Sequence, residues 1–250
     1  MSVIFWFSGT GNSLYAAKTL KAGLGDGALY PMKDGAPQGV VGGNGDKVGF
    51  VFPSYYGNLP RIVHSFLERP EIAPESYIYA IVTMGFIGQG SIAAFESVLR
   101  KRNLRLDYGR GIRMPANYVI RYNPADPNKS ESVLNQAAER IGRASLDIAA
   151  MVHSVNKIRF STNNLYKNTD SLDAKFLAES SCSGCGQCAQ VCPVKNIQID
   201  SGKPRWLHRC EHCVACISWC PRQAIQYGHR TKARRRYQNP RINVDELTAE

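Results

Sequence analysis

Eight cysteines occur in two copies of one short motif, and this repeat constrains the fold more than any other feature of the sequence. Each copy reads C-x2-C-x2-C-x3-C-P, and the second follows the first at an offset of 28 residues. The first copy runs from Cys182 to Pro193, and the second runs from Cys210 to Pro221. Two copies of one supersecondary unit predict a small domain with pseudo-twofold symmetry.

The spacing of the cysteines favours metal chemistry over disulfide bonds. The N-terminus lacks a basic region ahead of a cleavable apolar segment, so we expect no signal peptide and a cytoplasmic protein, in which disulfides are rare. Three thiolates within seven residues must converge on one small object, and a loop this tight can bind three irons of a cubane cluster. Structural zinc sites usually use two separated C-x2-C pairs instead. We therefore predict two 4Fe–4S clusters, and two structural zinc ions are the alternative.

The motif resembles that of bacterial-type two-cluster ferredoxin domains, and the resemblance covers roughly residues 180–228. In that pattern the fourth cysteine of each motif ligates the cluster that the other motif holds. The resemblance therefore implies two crossed ligand sets, namely Cys182, Cys185, Cys188 and Cys220, and Cys210, Cys213, Cys216 and Cys192. Sequential ligation, in which each motif holds its own cluster, is the alternative. We expect Trp206 and Trp219 to pack the small core and His212 to be solvated.

The N-terminal part of the chain alternates apolar, strand-like runs with segments of helical periodicity. We predict strands over residues 3–7, 47–52, 76–83 and, more weakly, 104–114, and helices over residues 14–24, 61–67, 90–102 and 130–152. Strands that alternate with helices imply right-handed crossovers and a parallel sheet covered on both faces. The pattern therefore predicts an α/β fold with a doubly wound parallel sheet.

A polar turn, Ser8-Gly9-Thr10-Gly11-Asn12-Ser13, joins the first predicted strand to the first predicted helix. It offers hydroxyls, an amide and backbone N–H groups to an anion at a helix N-terminus. Leu14 stands where a dinucleotide fingerprint needs its third glycine, and the turn lacks the Gly-Lys-Ser/Thr of a nucleoside-triphosphate loop. The turn therefore predicts a phosphate site in which dipoles, rather than Lys or Arg, neutralise the anion.

Residues 5–13 resemble the FMN phosphate loop of flavodoxins, and the likeness extends over about residues 1–152. The resemblance implies that FMN lies across the carboxyl ends of the central strands, at the topological switch point. Two further loops would clasp the flavin ring, with Tyr55 or Tyr56 stacked on it and the Gly57 peptide near flavin N5. The implied FMN residues are Ser8, Gly9, Thr10, Gly11, Asn12, Ser13, Pro53, Ser54, Tyr55, Tyr56, Gly57, Asn58, Thr83, Met84, Gly85, Asn117 and Tyr118.

The two resemblances together are to the fused flavodoxin–ferredoxin proteins of anaerobic prokaryotes. They imply a flavodoxin-like domain over residues 1–152, a linker over 153–180 and a small α+β ferredoxin domain over 181–228. Residues 229–250 are basic and then acidic, and we expect this tail to be loosely ordered.

Charge is concentrated in the cysteine-rich half of the chain. The formal net charge is +11, of which residues 1–155 carry +4 and residues 156–250 carry +7. We predict that this surplus, including the basic run Arg230–Arg236, docks an acidic redox protein. Since no nucleic-acid motif accompanies the basic run and no apolar run reaches membrane-spanning length, we predict neither a nucleic-acid partner nor a membrane span.

The predicted function is electron transfer, in which the clusters pass single electrons to and from FMN. The alternative is a flavin-dependent reductase of a small molecule that the clusters supply with electrons. Such an enzyme would need a proton donor beside the flavin, and the candidates are Tyr55, Tyr56 and Tyr118.

Overall fold

The computed structural model describes residues 1–33, 39–86, 88–156 and 172–248. The described chain forms two compact units, the first of which contains residues 1–7, 12–115 and 127–156. The second unit contains residues 8–11, 116–126 and 172–248. The polar turn after the first strand therefore divides, with Ser8–Gly11 in the second unit and Asn12 and Ser13 in the first.

The first unit is built on a six-stranded sheet in which every pairing is parallel. Its strands are β1 (Ser2–Trp6), β2 (Ala28–Pro31), β4 (Lys47–Pro53), β6 (Tyr77–Met84), β7 (Tyr108–Arg113) and β8 (Ser154–Val155). A separate pair is formed by β3 (Val40–Val41) and β5 (Glu71–Ile72). The helices are α1 (Asn12–Leu24), α2 (Arg61–Leu67), α3 (Gln89–Lys101) and α4 (Pro127–Ala149).

The spatial order of the sheet is β2-β1-β4-β6-β7-β8. When β3 and β5 are set aside, this is the flavodoxin-like order 2-1-3-4-5 with one short strand added at the edge. Strands β4 and β6 are buried along nearly their whole length, because helices cover both faces of a doubly wound sheet. The predicted α/β fold with a flavodoxin-like, doubly wound parallel sheet is confirmed.

Strand β2 has no counterpart in the sequence prediction. It has four residues, lies at the sheet edge and is only half-buried, so it lacks the continuous apolar run that identifies a central strand. Pro31 ends it and cannot donate a ladder hydrogen bond, which an edge strand tolerates. Helix α2, by contrast, has the predicted bounds. Helix α1 approaches α4 so closely that a Cβ on Gly23 would collide with Ser145 Oγ.

The second unit contains short antiparallel strands and short helices, as an α+β domain does. Its elements are β9 (Phe176–Ala178), β10 (Ile197–Asp200), β11 (Lys203–Trp206), β12 (Ile225–Tyr227), α5 (Gln187–Gln190), α6 (Ala215–Ser218) and α7 (Val244–Thr248). Strand β10 pairs with β11, and β9 pairs with β12. Helix α6 repeats α5, and β12 repeats β10, at the offset of the two cysteine motifs. The predicted internal repeat is therefore present in the fold.

One apolar cluster holds the second unit together. It includes Phe176, Ile197 and Ile225 from three of the strands and Ile217 from α6. Val119 joins the same cluster from the separate segment 116–126. Because the core is small, the cysteine sites must contribute much of the stability of this unit.

The tail is ordered by packing, and the expectation that it is loose is wrong. Tyr237, Asn239 and Ile242 are buried, and the chain then forms α7. The predicted linker contains β8 and β9 near its two ends, and residues 157–171 lie outside the described residues. Among the described residues, no helix is both long and apolar enough to cross a membrane.

Candidate functional site

The first copy of the cysteine motif surrounds a cavity together with the last cysteine of the second copy. Cys182 and Cys185 line this cavity from the loop before α5, Cys188 lines it from α5 itself, and Cys220 lines it from the segment just after α6. Side chains from β10, β11 and β12 contribute to its apolar wall. We call this cavity the first cysteine site.

A second cavity lies among the other four cysteines. Cys210 and Cys213 line it from the loop before α6, Cys216 lines it from α6 itself, and Cys192 lines it from the segment just after α5. Phe176 is among its aromatic and apolar neighbours. We call this cavity the second cysteine site. The two groups of four are the ones that crossed ligation implies.

Backbone N–H groups point at cysteine sulfurs in both sites. The N–H of Asn196 donates to Cys192 Sγ at 3.2 Å, and the N–H of Ala224 donates to Cys220 Sγ at 3.3 Å. The two bonds are equivalent in the repeat. Such N–H···S bonds stabilise the negative charge of thiolates bound to an iron–sulfur cluster and help to set its potential. This backbone arrangement fits a cluster in each site.

The loops of both motifs turn through left-handed backbone conformations at equivalent positions. In the first motif these positions are glycines, Gly184 with φ +72° and Gly186 with φ +80°. In the second motif they are His212 and Val214, each with φ +57°. A non-glycine residue in this region costs roughly 1–2 kcal/mol. The second loop therefore keeps the geometry of the first at a cost in backbone strain.

The cysteines differ in their exposure. Cys185 is exposed, whereas Cys188 and Cys216 are buried. Burial raises the pKa of Cys188 to about 11 and that of Cys210 to about 12, and it raises the pKa of Cys213 well above its usual value. These three groups are therefore neutral thiols in the metal-free chain at pH 7, and metal binding must displace their protons.

His212 is buried, and the expectation that it is solvated is wrong. It is 5% exposed, and its Nδ1 lies 2.7 Å from the Tyr118 hydroxyl. The rings of Phe176 and Tyr227 meet the imidazole edge-on. Burial lowers the pKa of His212 to about 4, so the ring is neutral at pH 7. Its backbone N–H donates to Cys210 Sγ at 3.2 Å.

The first half of the polar turn directs its carbonyl oxygens at other segments of the second unit. The oxygen of Gly9 accepts a hydrogen bond from the Trp219 indole N–H at 2.9 Å. The oxygen of Thr10 accepts one from the N–H of Asn239, also at 2.9 Å. A trans peptide holds its C=O and N–H on opposite sides. The N–H groups that follow these two carbonyls therefore point away from Trp219 and Asn239.

The inward side of this turn has the character of an anion nest. The N–H of Gly11 donates to Ser8 Oγ at 3.1 Å, and the Thr10 hydroxyl accepts a hydrogen bond from the Asn117 amide. Gly11 has φ +94°. Successive N–H groups gathered on one side of a turn form a concavity that binds anions. The Thr10 N–H and the hydroxyls of Ser8 and Thr10 are therefore the groups of this turn that suit a phosphate site.

The second half of the turn belongs to the first unit and lies near the carboxyl ends of its strands. The Ser13 hydroxyl is 2.7 Å from the Thr83 hydroxyl, near the end of β6. The Asn12 amide donates to the carbonyl of Pro115, just after β7. Loops at the carboxyl ends of parallel strands form the usual ligand site of this fold.

The predicted ring-clasping loop after β4 is a tight hairpin. Tyr55 and Asn58 exchange backbone hydrogen bonds of 3.1 and 2.9 Å. Tyr56 has φ +53° and Gly57 has φ +77°, which is the pair of left-handed residues that a type I′ turn requires. Tyr56 is partly exposed and held in a strained conformation, as is common at binding sites. Pro53 ends β4 beside Thr83.

The predicted flavin residues are divided between the two units, and within each unit some of them are joined by hydrogen bonds. Within the second unit, the Asn117 amide donates a hydrogen bond to the Thr10 hydroxyl, and the Tyr118 hydroxyl is hydrogen-bonded to His212 Nδ1. Within the first unit, Ser54 donates its N–H to the carbonyl of Thr83. Met84 and Gly85 follow on the same strand end and are half-buried.

Two residues next to the turn were missed as site residues in the sequence analysis. Trp219 was assigned to core packing alone, and Asn239 lies in the tail that was expected to be loose. Trp219 is buried as predicted, but its N–H is bonded to Gly9. The sequence gives a weak signal for Trp219, which precedes the last cysteine, and we find none for Asn239.

Comparison with known proteins agrees with the cysteine motif. Residues 181–225 match the family described as the 4Fe-4S dicluster domain. No curated protein matches the chain.

Solved structures resemble the N-terminal part at low identity. A putative flavoprotein from Bacteroides eggerthii is 19% identical, with a TM-score of 0.38, and the match covers 60% of this chain and 97% of that chain. A flavodoxin from Streptococcus pneumoniae is 14% identical, with a TM-score of 0.39 and coverage of 60% and 98%. An azoreductase from Bacillus anthracis is 12% identical, with a TM-score of 0.41 and coverage of 58% and 98%.

The chain thus combines a flavodoxin-like α/β unit, identified by its strand order, with a 4Fe-4S dicluster domain. This is the architecture that the sequence predicts for a flavodoxin–ferredoxin fusion, and it supports a redox role.

Proposed function

We propose that this protein is an electron carrier that relays single electrons through two 4Fe–4S clusters to and from FMN. The observation that carries the proposal is the grouping of eight cysteines around two cavities, four to each, in crossed sets. Bound clusters would supply one-electron redox chemistry, and bound FMN would supply one- or two-electron chemistry.

The protein residues have separate tasks in this function. The cysteines hold the clusters, and backbone N–H groups such as those of Asn196 and Ala224 stabilise the negative charge on the sulfurs. The apolar core around the second site limits the access of water, which also influences the potential.

The phosphate group of FMN would be bound by the turn Ser8–Ser13. The Thr10 N–H lies on the side of the turn opposite Trp219, and the start of α1 follows directly, so dipoles would stabilise the dianion. We identify no adenosine-binding signature in the sequence, and we therefore propose FMN rather than FAD.

An anaerobic absorption spectrum of the purified protein, with iron, sulfide and flavin analysis, tests the cofactors directly. We expect about eight irons per chain, an equal amount of sulfide and one FMN. Stoichiometric zinc without sulfide would contradict the cluster assignment. Flavin released by heat should co-migrate with FMN, and co-migration with FAD would contradict the phosphate-loop assignment.

The variant Thr10→Asp tests the phosphate loop by itself. A carboxylate in this buried turn should repel the phosphate group and abolish flavin binding, because like charges in a shielded site repel strongly. The iron content should remain unchanged. Thr19→Asp is a matched control because it places the same charge on α1, where Thr19 is half-buried and away from the turn. Retained FMN in the Thr10 variant would show that the loop is misassigned.

Turnover distinguishes the carrier from the flavin-dependent reductase. We expect the protein to exchange electrons with a ferredoxin under anaerobic conditions and not to reduce small quinones or nitro compounds catalytically. Saturable reduction of such a compound would favour the reductase.

A further inference from the structure

The two cysteine sites differ in what surrounds them. We infer that the second cysteine site is the one adjacent to the flavin phosphate and that Trp219 positions the phosphate loop against it. The inference rests on the proposed function, because it takes the turn Ser8–Ser13 to bind FMN.

The close approach of Gly9 to Cys213 is the first observation. A Cβ placed on Gly9 would lie 2.5 Å from the Cys213 carbonyl oxygen and 3.0 Å from Cys213 Cβ. Gly9 is outside the left-handed region, so its backbone conformation does not require glycine. The requirement comes from the contact itself, because a side chain would collide with the backbone of a cluster ligand.

The hydrogen bond from Trp219 is the second observation. Its indole N–H reaches the Gly9 carbonyl across 210 positions of sequence, and the bond is buried. The Gly9 carbonyl belongs to the same peptide as the Thr10 N–H, which points to the opposite side. A hydrogen bond to the carbonyl polarises the peptide and makes its N–H a better donor. Trp219 therefore both positions the turn and strengthens its interaction with an anion.

The tail supports the same side of the turn. The Asn239 N–H donates to the Thr10 carbonyl, and a Cβ on Gly11 would lie 2.9 Å from Asn239 Cβ and 3.2 Å from Ile242 Cβ. Trp219 and the tail thus cover the carbonyl side of the turn, which leaves its N–H side for the ligand.

Among the residues that the structure describes, we find no equivalent contact of the polar turn with the first site. A Cβ on Gly184 would meet the carbonyl of Gly202, which belongs to the hairpin of the same motif, and a Cβ on Gly186 would meet nothing within 4 Å. Cys185 is exposed. The first site is therefore open to solvent and accessible to an external one-electron carrier.

This difference between the two sites suggests the order in which electrons pass through them. An external protein carrier would exchange one electron with the first site, and the second site would exchange one electron with the flavin. Each step oxidises one centre and reduces the next, and no covalent bond forms or breaks. We therefore assign the exchange with the flavin to the second site, whose ligand Cys213 contacts the phosphate loop through the backbone.

The variant Trp219→Phe tests the positioning role through the binding of FMN. We expect the dissociation constant of FMN to rise about fivefold, which corresponds to the loss of one net hydrogen bond. Trp206→Phe is the matched control, because the Trp206 indole nitrogen is buried without a hydrogen-bond partner among the described residues. We expect a change of less than about twofold in the control.

The variants Cys185→Ser and Cys213→Ser test which site adjoins the flavin. Damage to the second site should weaken FMN binding, and damage to the first should not. Equal weakening in both variants, or equal effects of the two tryptophan variants, would overturn the inference while leaving the proposed function intact. A wild-type protein without FMN would contradict the proposed function instead.

Gly9→Ala provides a readout that needs no flavin. Its added methyl group must displace Cys213, so it should alter the electron paramagnetic resonance spectrum of the reduced second cluster. Combined with Cys185→Ser, which leaves the second cluster, Gly9→Ala should change the spectrum. Combined with Cys213→Ser, which leaves the first cluster, it should not. A spectrum that is unchanged in both backgrounds would overturn the proposed adjacency.

Discussion

The two cysteine motifs have the same backbone but different side chains at the positions that shape the loop. The first motif uses Gly184 and Gly186, for which a left-handed conformation costs little. The second uses His212 and Val214, which are buried and nearly inaccessible to solvent. The side chains of His212 and Val214 add packing to the core, and their left-handed conformations add backbone strain to the second motif. This difference also explains why the second site is shielded and the first is open.

Iron release should show this difference most strongly. A chelator added to the anaerobic protein should remove iron in two phases of equal amplitude, because Cys185 is exposed in the first loop, whereas the residues between the ligands of the second loop, His212 and Val214, are buried. The absorbance of the iron–chelator complex measures both phases. In Cys185→Ser, the fast phase should be absent. A single phase that contains all the iron would show that the two sites are equally accessible.

Glycine substitutions in the first motif should separate backbone strain from collision. In Gly186→Ala the new methyl group meets open space. Its left-handed conformation alone should lower the free energy of unfolding by about 1 kcal/mol. Gly184→Ala has the same strain, and its Cβ would also lie 2.8 Å from the Gly202 carbonyl oxygen. We therefore expect the thermal midpoint of the loaded protein to fall further for Gly184→Ala. Equal midpoints would contradict the close approach of the two loops.

Val214 allows the strain in the second motif to be measured. Val214→Ala loses buried methyl groups and keeps the strained conformation, whereas Val214→Gly loses them and removes the strain. We expect the glycine variant to be about 1 kcal/mol more stable than the alanine variant. Ile217, which is fully buried in α6, is the control. There glycine should be about 1 kcal/mol less stable than alanine. If alanine were more stable than glycine at both positions, Val214 would not be under backbone strain.

The smallest effect concerns the charge around the first site. Arg222 is exposed and lines the first cavity, and Lys203 donates a hydrogen bond to the carbonyl of Cys182. Arg222→Glu should slow the reduction of the protein by an acidic carrier at low salt, and the difference should shrink near physiological ionic strength, where screening acts over about 8 Å. Lys101→Glu makes the same charge change in the first unit and should have no effect.

Stopped-flow absorbance at several salt concentrations measures these rates. A salt-independent rate, or equal slowing by Arg222→Glu and Lys101→Glu, would contradict docking at the first site. The basic run Arg230–Arg236 is less suited to this test. Arg234 and Arg235 donate to the carbonyls of Val119 and Pro124, so their substitution would also disturb the fold.

The sequence predicted the elements whose signal is local. Strands β4 and β6 are continuous apolar runs, and the cysteine repeat fixed the equivalence of α5 and α6. The polar turn was recognised because it lies between a strand and a helix.

The remaining features depend on contacts between distant parts of the chain. The burial of His212 requires Tyr118, which lies 94 positions away, and the burial of Asn239 requires the turn at Thr10. No local pattern encodes these contacts, so the tail was expected to be loose and the histidine to be solvated. Strand β2 was missed because a short, half-exposed edge strand lacks an apolar run.

The variant Cys220→Ser distinguishes crossed from sequential ligation of the two clusters. Electron paramagnetic resonance of the anaerobically reduced protein should be compared among Cys220→Ser, Cys185→Ser and Cys213→Ser. We expect the Cys220 variant to retain the same cluster signal as the Cys185 variant, because Cys220 lines the first cavity with Cys185. A signal that matches the Cys213 variant instead would show sequential ligation and rule out the crossed sets.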